Sequence, residues 1–228
     1  MTDTLAVIFD MDGVLVNSYH AHFESWQQTA SKYGVSITED QFARSFGRTS
    51  REIIPNLWPG RFNDAAVAAF DRDKEAAYRD ILRRNFPAMD GAADLIAALH
   101  DAGFRLAIGS SAPPENLAVA MERLPNANLI SATVTGAEVK HGKPNPQVFL
   151  IAAGKLGIDP RHCAVIEDAP PGLEAARRAG MAAVGLTGTA PRDALSSNAD
   201  IVVDSLRELM PQLIADLIRR PRPQPKAL

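Results

Sequence analysis

The sequence predicts an α/β chain: a doubly wound parallel sheet with a block of helices inserted after its first strand. Three observations carry this reading. Short apolar runs of strand length recur along the chain, apolar residues at helical spacing separate them, and between Leu15 and about Ala88 the strand signals stop. A chain of 228 residues has room for a core domain and one smaller insert.

The runs at Leu5–Phe9, Arg105–Ile108, Ala164–Ile166, Ala182–Leu186 and Ile201–Val203 are nearly continuous in apolar residues, as in strands covered on both faces. Between them, helical spacing predicts Ala92–Asp101, Pro146–Leu156 and Leu173–Ala179, which run up to Gly103, Gly157 and Gly180, residues suited to ending a helix. The insert reads as several amphipathic helices broken at Gly34, Gly47, Pro55 and Pro59–Gly60. Residues 1–14 and 89–218 are therefore assigned to the core domain and 15–88 to the helical insert. The segment 219–228 holds three prolines and four basic residues with no apolar period, so a flexible, unpacked tail is expected.

Composition narrows the function. A formal net charge of -3 with both signs interspersed offers no surface for a polyanion, so nucleic acid is not an expected partner. The first five residues lack a basic start, and Leu5–Phe9 is too short for a signal peptide or a membrane span; a cytoplasmic protein without membrane contact is expected. The single cysteine, Cys163, cannot pair internally, and within the apolar run His162–Ile166 it reads as a buried, inert thiol. A monomer is the default for a chain with its own core.

Chemistry concentrates where strands end. In Val7-Ile8-Phe9-Asp10-Met11-Asp12-Gly13-Val14 a buried strand runs into two carboxylates and a glycine that lets the chain turn away. Ligands of open α/β sheets bind in the crevice outside the carboxyl ends of the strands, where Asp10 and Asp12 would project. Cys163-Ala164-Val165-Ile166-Glu167-Asp168 brings two more acids to the same edge. Carboxylates crowded in this way repel one another and hold protons unless a hard cation neutralises them, and Mg²⁺ suits a site with few protein ligands.

A third run, Leu106 to Ser111, ends a strand in Ser110 and Ser111, whose hydroxyls and backbone N–H groups could hold a phosphate or else merely cap the helix expected from Glu115. In Gly142-Lys143-Pro144-Asn145-Pro146, prolines stiffen the chain beside Lys143, which can set a point charge against phosphate oxygens. This is no P-loop, because Pro144 rather than Ser or Thr follows the lysine.

In this order the four segments resemble motifs one to four of the haloacid dehalogenase superfamily, most closely the branch containing β-phosphoglucomutase and related sugar-phosphate phosphatases. The resemblance covers the chain to about Asp204 and implies a Rossmann-like core with a small helical cap, hinged near Val14–Ser18 and Asn85–Asp90. By position it makes Asp10 the nucleophile, Asp12 the general acid/base, and Ser110, Ser111 and Lys143 the phosphate holders. It gives Mg²⁺ as the cofactor, with Asp10, Asp168 and the Asp12 backbone carbonyl as ligands and Glu167 as a further ligand or supporting contact.

Within the insert, His22, Arg51 and Lys74 match positions with which the mutase holds its sugar phosphate. Against a mutase, Ala112-Pro113-Pro114 replaces the polar run that follows its second motif, and Asn17 stands where the mutase has an acid. The resemblance thus implies a Mg²⁺-dependent phosphatase for small phosphorylated metabolites, sugar phosphates foremost. A β-phosphoglucomutase-type mutase is the alternative. A phosphonatase is disfavoured by Asp12, and an inactive binding module by the complete set of chemical positions.

Overall fold

The apolar runs form one parallel sheet in the computed structural model, which describes residues 4–46 and 48–222. Its strands are β1 (Ala6–Phe9), β2 (Arg105–Gly109), β3 (Ala132–Val134), β4 (Cys163–Glu167), β5 (Ala182–Leu186) and β6 (Ile201–Val203), ordered β3-β2-β1-β4-β5-β6. The five predicted runs coincide with strands to within a residue at each end. β3 is the unpredicted one, because at three residues with a central threonine it lacks an apolar run, and it sits at the sheet edge, pairing only with β2.

The helices are α1 (Tyr19–Lys32), α2 (Glu39–Ser45), α3 (Ser50–Leu57), α4 (Asp64–Arg84), α5 (Ala92–Asp101), α6 (Pro114–Arg123), α7 (Gln147–Leu156), α8 (Pro170–Arg178), α9 (Arg192–Ser196) and α10 (Pro211–Arg219). Strand side chains alternate between the two faces. Ala6, Ile8, Ala107, Val165 and Ala183 form one core with Val148, Phe149 and Ala152 of α7 and Leu173 and Ala176 of α8. The residues between them, including Val7, Phe9, Leu106, Ile108, Ala164 and Ile166, are equally buried, and α5 and α10 lie against β2 and β4. Full burial of a side chain such as Ile8 or Phe9 contributes about 1.5–3 kcal/mol, so the central strands are held from both faces. Cys163 is buried, as expected.

The chain falls into two units: one ends at Asn17 and resumes at Pro87, the other is Ser18–Phe86. Leu15–Asn17 and Pro87–Ala88, expected in the insert, belong with the sheet. Val16 bridges to Asp12 and Ala88, the Met89 N–H donates to the Leu15 carbonyl at 2.9 Å, and the Asn17 N–H donates to that of Pro87 at 2.8 Å. Leu15 and Val16 are buried apolar residues, and that burial draws the boundary past them.

The helical unit packs around Trp26, Ile37, Phe42, Ile53, Ile54 and Phe70. Thr38 caps α2 reciprocally with Gln41: the Gln41 N–H donates to the Thr38 hydroxyl at 3.2 Å, and the Thr38 N–H to the Gln41 side chain at 2.9 Å. Pro55 does not break its helix as expected. It lies inside α3 on the exposed face, while Ile53 and Ile54 anchor the other face. The expected break at Gly47 lies outside the described residues.

The tail begins later than expected. Arg219 still belongs to α10, and the Arg222 guanidinium donates to the Ile218 carbonyl at 2.9 Å and to that of Leu217, closing the helix end. Residues 223–228 lie outside the described residues, as do the first three. Among the described residues no helix is long and apolar enough to cross a membrane.

Candidate active site

The sheet order reverses at the β1–β4 pair, and parallel strands deliver their carboxyl ends to the same edge. Phe9 pairs with Ile166, and the Asp10 N–H donates to the Ile166 carbonyl at 3.0 Å, so the residues that leave the two strands, Asp10 and Glu167, emerge together. Asp10, Glu167 and Asp168 are 7%, 2% and 5% exposed. Each brings a carboxylate oxygen within 4.8 Å of the others.

One cation is built into the group. The Lys143 ammonium lies 2.6 Å from Asp10 Oδ1 and 2.7 Å from Glu167 Oε1, over the Phe149 ring at 5.0 Å. Its loop folds back on itself: Gln147 Oε1 accepts the N–H groups of Lys140 and His141 at 2.8 and 3.1 Å, and the Asn145 N–H donates to the Gly142 carbonyl at 3.0 Å. The stiffening read from the two prolines is thus joined by a side-chain clasp.

Two glycines let the carboxylates approach the backbone. Gly13 turns the chain with φ of +78°, and a Cβ there would lie 1.8 Å from Asp168 Oδ2. In the first turn of α8, a Cβ on Gly172 would lie 1.8 Å from Glu167 Oε1. The other Glu167 oxygen accepts the Ala169 N–H at 2.8 Å.

Burial pushes the Asp10 carboxyl up to about 7, helped by the charges of Glu167 and Asp12 and opposed by Lys143. Asp168 is also raised, first by burial and then by Glu167 and Asp10. Burial alone would push the Lys143 ammonium down, but Asp10 and Glu167, by charge and hydrogen bond, outweigh it and hold Lys143 above its ordinary value. One ammonium can balance the charge of only one of the three carboxylates gathered here. An all-oxygen donor set with more acids than ammonium groups fits a hard divalent cation.

Of the expected core residues, Asp10, Lys143, Glu167 and Asp168 come together here. Asp12 stands close enough for its charge to act on Asp10; β1 ends at Phe9, the chain bends at Met11, and the Asp12 backbone pairs with Val16 across the turn that begins at Gly13. Ser110 is buried, its N–H donates to the Val134 carbonyl at 3.0 Å, and its hydroxyl accepts the Ala112 N–H at 3.0 Å. Pro113 occupies the N-cap of α6, so neither Ser110 nor the exposed Ser111 caps that helix. Gly136 packs against the loop: its N–H donates to the Ala112 carbonyl at 3.0 Å, and a Cβ would lie 2.4 Å from the Ser111 carbonyl oxygen.

Within the helical unit, His22 and Lys74 meet. The Lys74 ammonium, 5% exposed, lies 3.1 Å from His22 Nδ1 and 2.8 Å from Glu75 Oε1, while the His22 ring stacks on Tyr78 with centroids 3.9 Å apart. The Lys74 side chain thus reaches both the His22 ring and the Glu75 carboxylate. Lys74 is buried on the inner side of α4. Arg51 is exposed on α3 and stands outside this group.

Two contributors escaped the sequence reading. Gly172 looks like an ordinary helix glycine until the Glu167 carboxylate beside it is seen. Thr189, in the loop after β5, brings its hydroxyl beside the Asp168 carboxylate and acts to lower its pKa. Its signal was available, since Thr187-Gly188-Thr189 follows the apolar run Ala182–Leu186 at a carboxyl-terminal edge.

The model for the haloacid dehalogenase-like hydrolases matches residues 4–180. The validoxylamine A 7'-phosphate phosphatase of Streptomyces hygroscopicus is 34% identical over 212 residues, covering 89% of this chain and 94% of the relative. The β-phosphoglucomutase of Bacillus subtilis is 28% identical over 216 residues, covering 92% and 93%. Among solved structures, a HAD hydrolase of family IA, variant 3, from Entamoeba histolytica superposes with a TM-score of 0.84 at 26% identity, covering 95% of this chain and all of the other.

Proposed function

Because the chain belongs to the haloacid dehalogenase-like hydrolase family, we propose that it is a Mg²⁺-dependent phosphatase that hydrolyses small phosphorylated metabolites, sugar phosphates foremost, through an aspartyl phosphate on Asp10. The observation that carries this reading is the buried trio Asp10, Glu167 and Asp168 with the Lys143 ammonium paired to two of them.

The Asp10 carboxylate attacks phosphorus in line and displaces the alcohol, which splits one hard displacement into two easier ones. Asp12 protonates the leaving oxygen, then takes a proton from the water that cleaves the aspartyl phosphate. Lys143 balances charge on the phosphoryl oxygens, while Ser110, Ser111 and nearby N–H groups orient them. Asp10, Asp168 and the Asp12 carbonyl would hold Mg²⁺, with Glu167 as a further ligand or supporting contact, and the ion would supply the remaining positive charge at the phosphoryl group. Asp10 must be ionised to attack, and a cation in this crevice lowers its pKa from the raised value that burial imposes. His22, Arg51 and Lys74 are proposed to read the part of the substrate that does not react.

A mutase reading draws support from the Bacillus relative, but Ala112-Pro113-Pro114 offers no side-chain donor for a distal phosphate. One experiment separates the two: phosphate release from a panel of sugar phosphates with Mg²⁺, beside a coupled assay converting β-glucose 1-phosphate to glucose 6-phosphate. Release without isomerised product is expected. Efficient isomerisation with little free phosphate overturns the phosphatase reading.

A further inference from the structure

The loop after β5 is pinned from the side away from the acids. The Thr187 N–H donates to the Val203 carbonyl at 2.9 Å, and its hydroxyl donates to Asp204 Oδ1 at 2.8 Å. Arg192 closes the other end, 2.8 Å from Asp204 Oδ2 and donating to the Val202 carbonyl at 2.7 Å. Between these anchors Gly188 turns the chain with φ of +138°, a conformation that favours glycine.

The turn sends Thr189 toward β1. A Cβ on Gly13 would lie 3.0 Å from Thr189 Oγ1 and 1.8 Å from Asp168 Oδ2, so the hydroxyl and the carboxylate share the space that this glycine leaves open. Thr189 is solvent-exposed whereas Asp168 is buried, so the hydroxyl reaches inward to the carboxylate. Lys143, the cation of the site, pairs with Asp10 and Glu167 instead.

We infer that Thr189 is a positioning residue for the cation site: by donating to Asp168 it fixes how that carboxylate presents its free lone pairs toward Asp10. This rests on the reading of Asp168 as a Mg²⁺ ligand. A ligating carboxylate has more lone pairs than one metal uses, and a hydrogen bond to one of its oxygens selects the orientation in which the rest face the ion. The Thr187–Asp204–Arg192 network serves the same end at one remove, because it holds the turn that presents the hydroxyl.

The test is Mg²⁺ titration calorimetry on the full chain without substrate, for the wild type, Thr189→Val and Thr189→Ser, with kcat measured against Mg²⁺ concentration alongside. Valine keeps the shape and removes the donor, so its Kd for Mg²⁺ is expected to rise about 10-fold, the scale of lost supporting contacts at metal sites. Serine keeps the donor and should stay within roughly 3-fold of the wild type, well short of that loss. Saturating Mg²⁺ should recover most of kcat in the valine variant, which a general loss of fold would not allow. Wild-type affinity in Thr189→Val, with phosphate release still Mg²⁺-dependent, overturns the role of Thr189 and leaves the proposed function standing. Equal weakening in both variants also overturns it, since serine, which keeps the donor, would then do no better than valine, which lacks it. A wild type that releases phosphate yet binds no Mg²⁺ overturns the inference together with the metal reading beneath it.

Discussion

Replacing Gly172 with alanine sets two physical effects of opposite sign against each other. Within a helix alanine is favoured over glycine by up to about 1 kcal/mol, so propensity alone predicts a more stable protein. The structure predicts the reverse. The added methyl would lie 1.8 Å from Glu167 Oε1 and 2.0 Å from its carboxyl carbon, far inside contact distance. Glu167 is 2% exposed, so moving it strains or breaks its bonds to Lys143 at 2.7 Å and to the Ala169 N–H at 2.8 Å. A hydrogen bond to a buried charged group contributes about 1.5–3 kcal/mol, and two such losses outweigh the propensity gain by about 3 kcal/mol. For a chain of this size that is roughly 6–12 °C in Tm. Thermal unfolding followed by circular dichroism, with phosphate release measured on the same samples, checks both consequences. Equal or greater stability with undiminished turnover refutes the reasoning, because the Glu167 carboxylate would then not be confined as described.

Asp10→Asn is expected to abolish turnover while leaving the fold intact. Its effect on stability has a sign set by linkage: the raised carboxyl, about 7 when folded against 3.8 as a model acid, favours the folded state fully below 3.8 and loses that contribution as pH rises through 7. In EDTA the asparagine variant should therefore match the wild type near pH 4 and melt higher than it near pH 8; a gap that is constant with pH contradicts this. Chelation of Mg²⁺ should stop phosphate release, and apparent Mg²⁺ affinity should fall as pH drops below about 7, where a proton competes for Asp10. Undiminished rates in EDTA would remove the metal from the mechanism. In the helical unit, Lys74→Met leaves Glu75 and the His22 ring without their ammonium partner and should lower stability by about 1–3 kcal/mol, read in urea unfolding. Adding Glu75→Leu should recover part of that loss, and no change in either variant would mean that the pair contributes nothing.

Much of this protein is legible along the chain because its signals are local. A strand buried on both faces must be apolar throughout, so β1, β2, β4, β5 and β6 announce themselves, whereas β3 has only Ala132-Thr133-Val134 and pairs on one side. Pro55 misleads because a proline rule speaks of the backbone alone, while the burial of Ile53 and Ile54 decides whether the helix persists. Arg222 misleads in the same way, for a basic residue among prolines reads as tail until its guanidinium is seen closing α10.

By itself the sequence determined which strands carry acids at their carboxyl ends, and hence that Asp10, Asp12, Glu167 and Asp168 belong to one edge of a parallel sheet. Only the tertiary structure decided how those charges are settled. Lys143 crosses 133 residues of sequence to reach Asp10, Gly172 clears space for Glu167, and Thr189 comes to Asp168 from a loop held by Asp204 and Arg192. Periodicity records which face of an element is buried, but the partner of a buried charge depends on which other elements the fold brings alongside, and no local pattern encodes that.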